Sequence, residues 1–282
     1  MKKTCKSKRS KQTIKTKIRK RLPKSLFLLY RFFSHPKEAN ATSLITFLFK
    51  SIPKVSFYQK LFIVKQLFVI SYFVHCPHTF HQMISFIKTI LSVPKHIDGC
   101  IVEAGSYKGG SAAKFSIAAK IANKRLILFD SFEGLPENNE LMTTGAWCGT
   151  LDEVKRNISK FGELDICELI KGWFDDTMPK FSKPIVAIYL DVDLASSTRT
   201  CLKYLYPLLV PGGVLYSQDG HLPLVVDVYK DDEFWNKEVG YPKPHIEGLG
   251  KQKLFKIVKP LTLKKEVIKK VKTKNPRQLP QV

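Results

Sequence analysis

The chain has 282 residues, 44% of them hydrophobic, which suffices for one large domain with an appendage. Its formal net charge of +23 is uneven: residues 1–24 hold twelve Lys/Arg and no acid, residues 251–282 hold eleven and Glu266, and the body between keeps about +1. A neutral body with no zinc-finger spacing and no basic stripe interleaved with aromatics argues against a nucleic-acid module, and six scattered cysteines without CxxC or Cys/His spacing argue against a zinc site or a disulfide framework.

Residues 1–24 read as a disordered basic arm. It is either a solvated tail or an element drawn to an anionic membrane surface or to nucleic acid. The basic start is too long, and the following apolar run SLFLLYRFF too short and broken by Arg31, for a secretory signal. Together with reduced thiols this favours a cytoplasmic protein, peripheral to a membrane if the tails bind one. Residues 25–98 are rich in Leu, Phe and Ile and read as a helical cap punctuated by Pro53, Pro77 and Pro94. The run at 61–75 resembles a membrane span but carries Lys65 and Gln66, so a buried or interfacial helix is expected. Such a cap can cover the sheet or form a homo-oligomer. His75, His78 and His81 within it read as structural or exposed.

From Gly99 the pattern changes to alternating strand and helix. Strands are expected at GCIVEA, RLILFD, ICELIKG, PIVAIYLDVD, VLYSQDG (after a Pro-Gly-Gly start) and LFKIVK, with helices near 110–123, at TLDEVKRNISKF, SSTRTCLKYLYPLL and near 224–235. This alternation predicts a mostly parallel sheet with helices on both faces over 99–259, followed by a basic tail at 260–282.

Several constellations carry chemistry. Glu103 ends one strand, a turn containing Gly105, Gly109 and Gly110 leads to Ser111, and Asp130 ends the next strand, which is the pattern of a nucleotide-type ligand at a strand–helix crevice. The GxxxGG spacing departs from the dinucleotide GxGxxG. Glu103 can meet a ligand amino group and Asp130 two ribose hydroxyls. Asp191 and Asp193 share one face of a strand end, and Gln218 and Asp219 end the next strand. If those strands are neighbours, Asp191, Gln218 and Asp219 form an all-oxygen site suited to Mg²⁺. The plainer reading of these acids is helix caps and turn formers. His221, beside them, is a candidate acid or base. Trp173 or Phe174 can pack on a flat base, with Phe132 and Trp147 as further aromatics on exposed loops.

Taken together, EAGSYKGGSA, FDSFEGLPE, KGWFDDTMP, LDVDLASST, LYPLLVPGG and QDG resemble the macrocin O-methyltransferase family over about residues 99–258. The resemblance implies a Rossmann-like class I methyltransferase fold, with a seven-stranded sheet and an antiparallel last strand. It also implies S-adenosylmethionine and Mg²⁺ as cofactors, and a sugar hydroxyl of a small molecule or glycan as acceptor. Carried over by position, Glu103, Gly105 and Ser111 lie in the first cofactor motif, Asp130 binds the ribose, and Ser131 and Phe132 lie along the cofactor. Asp191 and Asp219 match metal ligands, and Gln218 stands where the family usually has an acid. Asp191, or else His221, receives the acceptor proton. The competing expectations are a membrane-surface protein whose methyltransferase-like body has lost catalysis, and an RNA methyltransferase.

Overall fold

The computed structural model describes residues 41–136 and 142–261. The basic arm, the apolar run before residue 41 and most of the C-terminal tail lie outside the described residues.

Among the described residues three helices come first: α1 (Ala41–Phe49), α2 (Phe57–Phe73) and α3 (Phe80–Ser92). α2 and α3 each start on a capping box. Ser56 and Thr79 accept from the backbone N–H of Gln59 and Gln82, and each glutamine side chain accepts the cap's own N–H. Pro53 and Pro77 fall in the connections, as the punctuation predicts. Ile63, Leu67 and Ile70 of α2 are buried, and among the described residues no helix is long and apolar enough to cross a membrane.

The sheet follows. Its strands are β1 (Cys100–Ala104), β2 (Leu126–Asp130), β3 (Cys167–Lys171), β4 (Ile185–Leu190), β5 (Leu209–Ser217), β6 (Ile246–Glu247) and β7 (Phe255–Val258), in the spatial order β3-β2-β1-β4-β5-β7-β6. β1 to β5 run parallel, and β7 pairs antiparallel with both β5 and β6. Every residue of β1 and β4 is buried, as apolar strands covered on both faces require. The helices between strands are α4 (Gly110–Ala122), α5 (Leu151–Phe161), the single turn α6 (Phe174–Thr177), α7 (Ala195–Leu205) and α8 (Pro223–Lys230), with a last turn α9 (Asp232–Phe234).

On one face of the sheet, α1, α2 and α3 share a continuous core with α4 and the strands. Phe86 of α3 sits 4.8 Å from Phe115 of α4 and 5.1 Å from Tyr189 of β4, ring centre to ring centre. The other face is closed by α7, α8 and Trp235. Chain order reverses at β1, whose neighbours are β2 and β4, and this leaves a crevice above the carboxyl ends of the strands.

Three local expectations are corrected. β5 begins at Leu209, ahead of Pro-Gly-Gly, and shifts register across Pro211 to Gly213, so α7 stops at Leu205. The helix near 224–235 is broken at Asp231, whose side chain caps the new turn through the N–H of Phe234. A strand of two residues, β6, has no counterpart in the alternation, because so short a segment shows no periodicity and is defined only by pairing with β7.

Candidate active site

A cavity of about 610 Å³ opens over the β1/β4 crevice, a size usual for small-molecule sites. Gly105, just past β1, has φ +85°, and a Cβ there would sit 2.0 Å from the carbonyl oxygen of Asp191. Only glycine lets the chain leaving β1 pass the end of β4 so closely. The turn that follows aims the Ser106 N–H at Asp130, donating to Oδ2 at 2.6 Å, while the Phe132 N–H donates to Oδ1 at 2.7 Å. Burial pushes the Asp130 carboxyl up, and these N–H groups oppose the rise by stabilising the anion. The carboxylate is thus oriented from two sides and faces the cavity, where its remaining lone pairs can accept two hydroxyls.

Gly105, Ser111 and Ser131 line the same cavity, as do Trp147, Trp173 and Phe174. Phe132 does not. Expected on an exposed loop, it takes φ +57° and folds its ring into the core at 4% exposure, so that only its N–H serves the site. Glu103 lies beneath the wall, between Leu128 of β2 and Tyr189 of β4, with no exposed surface. Neither of its oxygens is held in a well-formed hydrogen bond, the Ser111 hydroxyl approaching without good geometry. Burial pushes its carboxyl up to about 8, an effect the Ser111 hydroxyl and His78 offset only in part.

Asp191 and Asp193 also line the cavity, and with Asp219 they each offer an oxygen, all within 4.8 Å of one another. Asp219 is wholly buried. Its Oδ2 accepts the N–H of Val192 at 3.0 Å and of Asp193 at 3.2 Å, and its Oδ1 has no partner. Burial, reinforced by the charges of Asp191 and Asp193, holds the Asp219 carboxyl well above the usual range. Burial and Asp191 likewise push Asp193 up to about 7. Crowded carboxylates with an orphaned oxygen are the donor set a hard divalent cation takes.

The amide oxygen of Gln218, expected beside these acids, is engaged elsewhere. Successive residues leaving β5 point to opposite faces, and the amide oxygen of Gln218 turns the other way, to accept the Tyr189 hydroxyl at 3.1 Å. Asp193 brings a further carboxylate oxygen to Asp191 and Asp219. His221 lines the cavity, and burial together with Lys253 lowers its pKa.

His78, expected to be structural or exposed, reaches this part of the site. Its Nε2 lies 2.8 Å from Oδ2 of Asp191, and its Nδ1 lies 3.4 Å from the Cys76 sulfur. Burial opposes charge on His78, but the Asp191 carboxylate and Cys76 hold it up to about 10. Burial alone would raise the Cys76 thiol, yet Lys114 and His78 bring it down to about 6. Nothing local in the sequence separates His78 from His75 or from His81, which bonds Ser43. The one available signal is that His78 immediately precedes the capping residue Thr79, so its direction is set by the start of α3.

Comparison with known proteins places these observations. The sequence profile of the macrocin O-methyltransferase family (TylF) matches residues 78–237. The 8-demethyl-8-(2,3-dimethoxy-alpha-L-rhamnosyl)-tetracenomycin-C 4'-O-methyltransferase of Streptomyces olivaceus is 30% identical over 161 residues, a match spanning 51% of this chain and 61% of that protein. Among solved structures, the O-methyltransferase NovP superposes with a TM-score of 0.59 at 19% identity, over 72% of this chain and 99% of its own. The calicheamicin methyltransferase CalS11 superposes with a TM-score of 0.51 at 18% identity, over 78% and 91%. At these identities the two structures bear on the fold alone.

Proposed function

The chain belongs to the macrocin O-methyltransferase family, and on that premise we propose that it moves the methyl group of S-adenosylmethionine to a hydroxyl of a sugar or glycan-like acceptor. The observation that carries the reading is a single cavity lined by Asp130, anchored by two backbone N–H groups, and by Asp191 and Asp193, with the buried Asp219 carboxylate behind the latter pair.

In this reading Asp130 takes the ribose hydroxyls, Ser131 lies along the cofactor, and Trp147, Trp173 and Phe174 offer flat faces for the base. Gly105 and Ser111 border its amino-acid end, above the buried Glu103. The cofactor supplies an electrophilic methyl. A divalent cation, Mg²⁺ in the family resemblance, would be held by Asp191, Asp193 and Asp219, and when bound it supplies Lewis acidity that lowers the pKa of a nearby hydroxyl.

The chain's own part is orientation and proton transfer. Asp191, which lines the cavity, accepts the acceptor's proton, and the contact between its Oδ2 and His78 fixes the carboxylate. His221 faces the same space, and its lowered pKa keeps it neutral near pH 7, so it is the second candidate base. Much of the rate comes from aligning the hydroxyl with the methyl. A sugar acceptor is supported by the rhamnosyl-directed name of the Streptomyces relative.

Calorimetry with S-adenosylmethionine tests the first half. Binding is expected, and Asp130→Ala should weaken it at least about tenfold, or ~1.4 kcal/mol. Folded protein that binds no cofactor, or an Asp130→Ala variant that binds it unchanged, refutes the reading. Methyl transfer to a panel of nucleotide sugars and rhamnosides, followed by mass spectrometry, tests the second half. Chelation should slow transfer, and added Mg²⁺ should restore it.

A further inference from the structure

The inner stripe of α2 is spent on the core, yet its outer face is also apolar. Phe57, Leu61 and Phe62 are nearly half exposed and Tyr58 is 81% exposed. The patch continues onto α1 through Phe49, 76% exposed, whose ring centre lies 6.0 Å from that of Phe57, and through Ile45. Contiguous aromatic surface of this kind is uncommon on a protein that meets only water.

Its electrostatic setting is one-sided. Residues 39–97 contain no Asp or Glu at all, and Glu38 is the sole acid of the first 97 residues, against twenty Lys/Arg. Lys50, Lys54 and Lys65 are exposed beside the patch. Lys50 also lines a cleft with Lys88 and Lys256, where the hydroxyls of Ser85 and Thr89 add hydrogen-bonding groups. Burial lowers the pKa of Lys88, and Lys50 and Lys256 lower it further, so the cleft concentrates positive potential. The buried ammonium of Lys60 donates to the carbonyls of Leu48 and Lys50, which ties the end of α1 to α2 and holds the aromatic and basic groups together.

We propose that the α1–α2 face is a docking site for an anionic phospholipid surface, with the aromatic side chains entering the interface and the lysines meeting lipid phosphates. Aromatic and aliphatic side chains rimmed by lysine are the composition that binds such surfaces, and each basic residue adds to the attraction. A second copy of this chain would have to press like-charged lysines together, which disfavours self-association through the face. The patch occupies the N-terminal end of α2, whereas His75 and Cys76, just past its C-terminal end, line the cavity. The 17 residues between the ends of α2 span roughly 25 Å, so docking leaves the cavity mouth open. This inference does not depend on the methyltransferase reading.

Co-sedimentation of the full-length protein with phosphatidylcholine vesicles, with and without phosphatidylserine, tests it. Binding is expected only with phosphatidylserine, and Tyr58→Asp/Phe62→Asp should lose at least about tenfold in affinity although every basic residue remains. The same variant should bind S-adenosylmethionine as the wild type does and keep its circular dichroism spectrum, which reports that the fold is intact. Lys50→Glu/Lys54→Glu should weaken binding and flatten its salt dependence. Equal vesicle binding by the aromatic variant, binding indifferent to phosphatidylserine, a change of oligomeric state in light scattering caused by the aromatic substitutions, or RNA binding lost in the same variant would each overturn the proposal.

Discussion

Glu103 and Asp130 end neighbouring parallel strands, and both are acids, but the chain treats them differently. Asp130 is given two N–H donors and a view of the cavity, while Glu103 is given neither. A carboxyl raised to about 8 in the folded state, from an ordinary value near 4.5 in the unfolded chain, binds more protons when folded between those two pH values. Stability from this group is therefore present below about pH 4.5 and is lost as pH rises through about 8. Thermal melts of the ligand-free protein from pH 5 to 8 should show this as a drop in Tm that is shallower in Glu103→Gln, with the variant the more stable at pH 8. Parallel curves for the two proteins would mean that Glu103 is already satisfied. The acids at strand ends were legible from spacing. Which of them faces a ligand was not, since one residue of pleat separates cavity from core.

At the scale of elements, the start of α3 shows how a short local signal serves a distant site. The capping box of Thr79 and Gln82 fixes the entry of the helix, and the residue before it, His78, is thereby aimed at Asp191. Thr79→Ala should cost about 1 kcal/mol in urea unfolding. It should also lower the turnover of the proposed reaction more than Ser56→Ala, which removes an equivalent cap with no site residue next to it. Equal effects on turnover would show that the cap supports stability alone. The helices and strands themselves were readable, since period and proline positions mark them. The strand through Pro-Gly-Gly was misread at its start, because the local signal there is that of a turn and only pairing with β4 makes it a strand. Likewise Asp193 joins Asp191 and Asp219 while the Gln218 amide oxygen accepts the Tyr189 hydroxyl, because side-chain direction past a strand end depends on the turn that follows it.

For the whole molecule, the first three helices and the sheet are one packing unit on that face. Phe86 of α3 meets Phe115, Tyr189 and Tyr216, so removing α1 to α3 would bare a broad apolar face of α4 and the sheet. A fragment beginning at residue 99 should therefore aggregate, or bind a hydrophobic dye without near-ultraviolet ellipticity, where the full chain does neither. A monomeric fragment with a cooperative melt would contradict this. The uneven charge also belongs to this scale, since any charged surface would act on the whole molecule through it.

Composition, apolar period and the order of a few glycines and acids determined on their own the mostly parallel αβ sheet and the crevice where the first strand turns into its helix, with acids at the strand ends. These features rest on local propensity and on chain order, which a linear sequence carries directly. Only the tertiary structure decided that His78 crosses from the helical layer to Asp191, that Gln218 turns to Tyr189 while Asp193 joins the acids, that Phe132 lies in the core, and that the aromatic side chains on the outer face of α2 are exposed. Each of these depends on which residues distant in sequence become neighbours, and that is settled by packing.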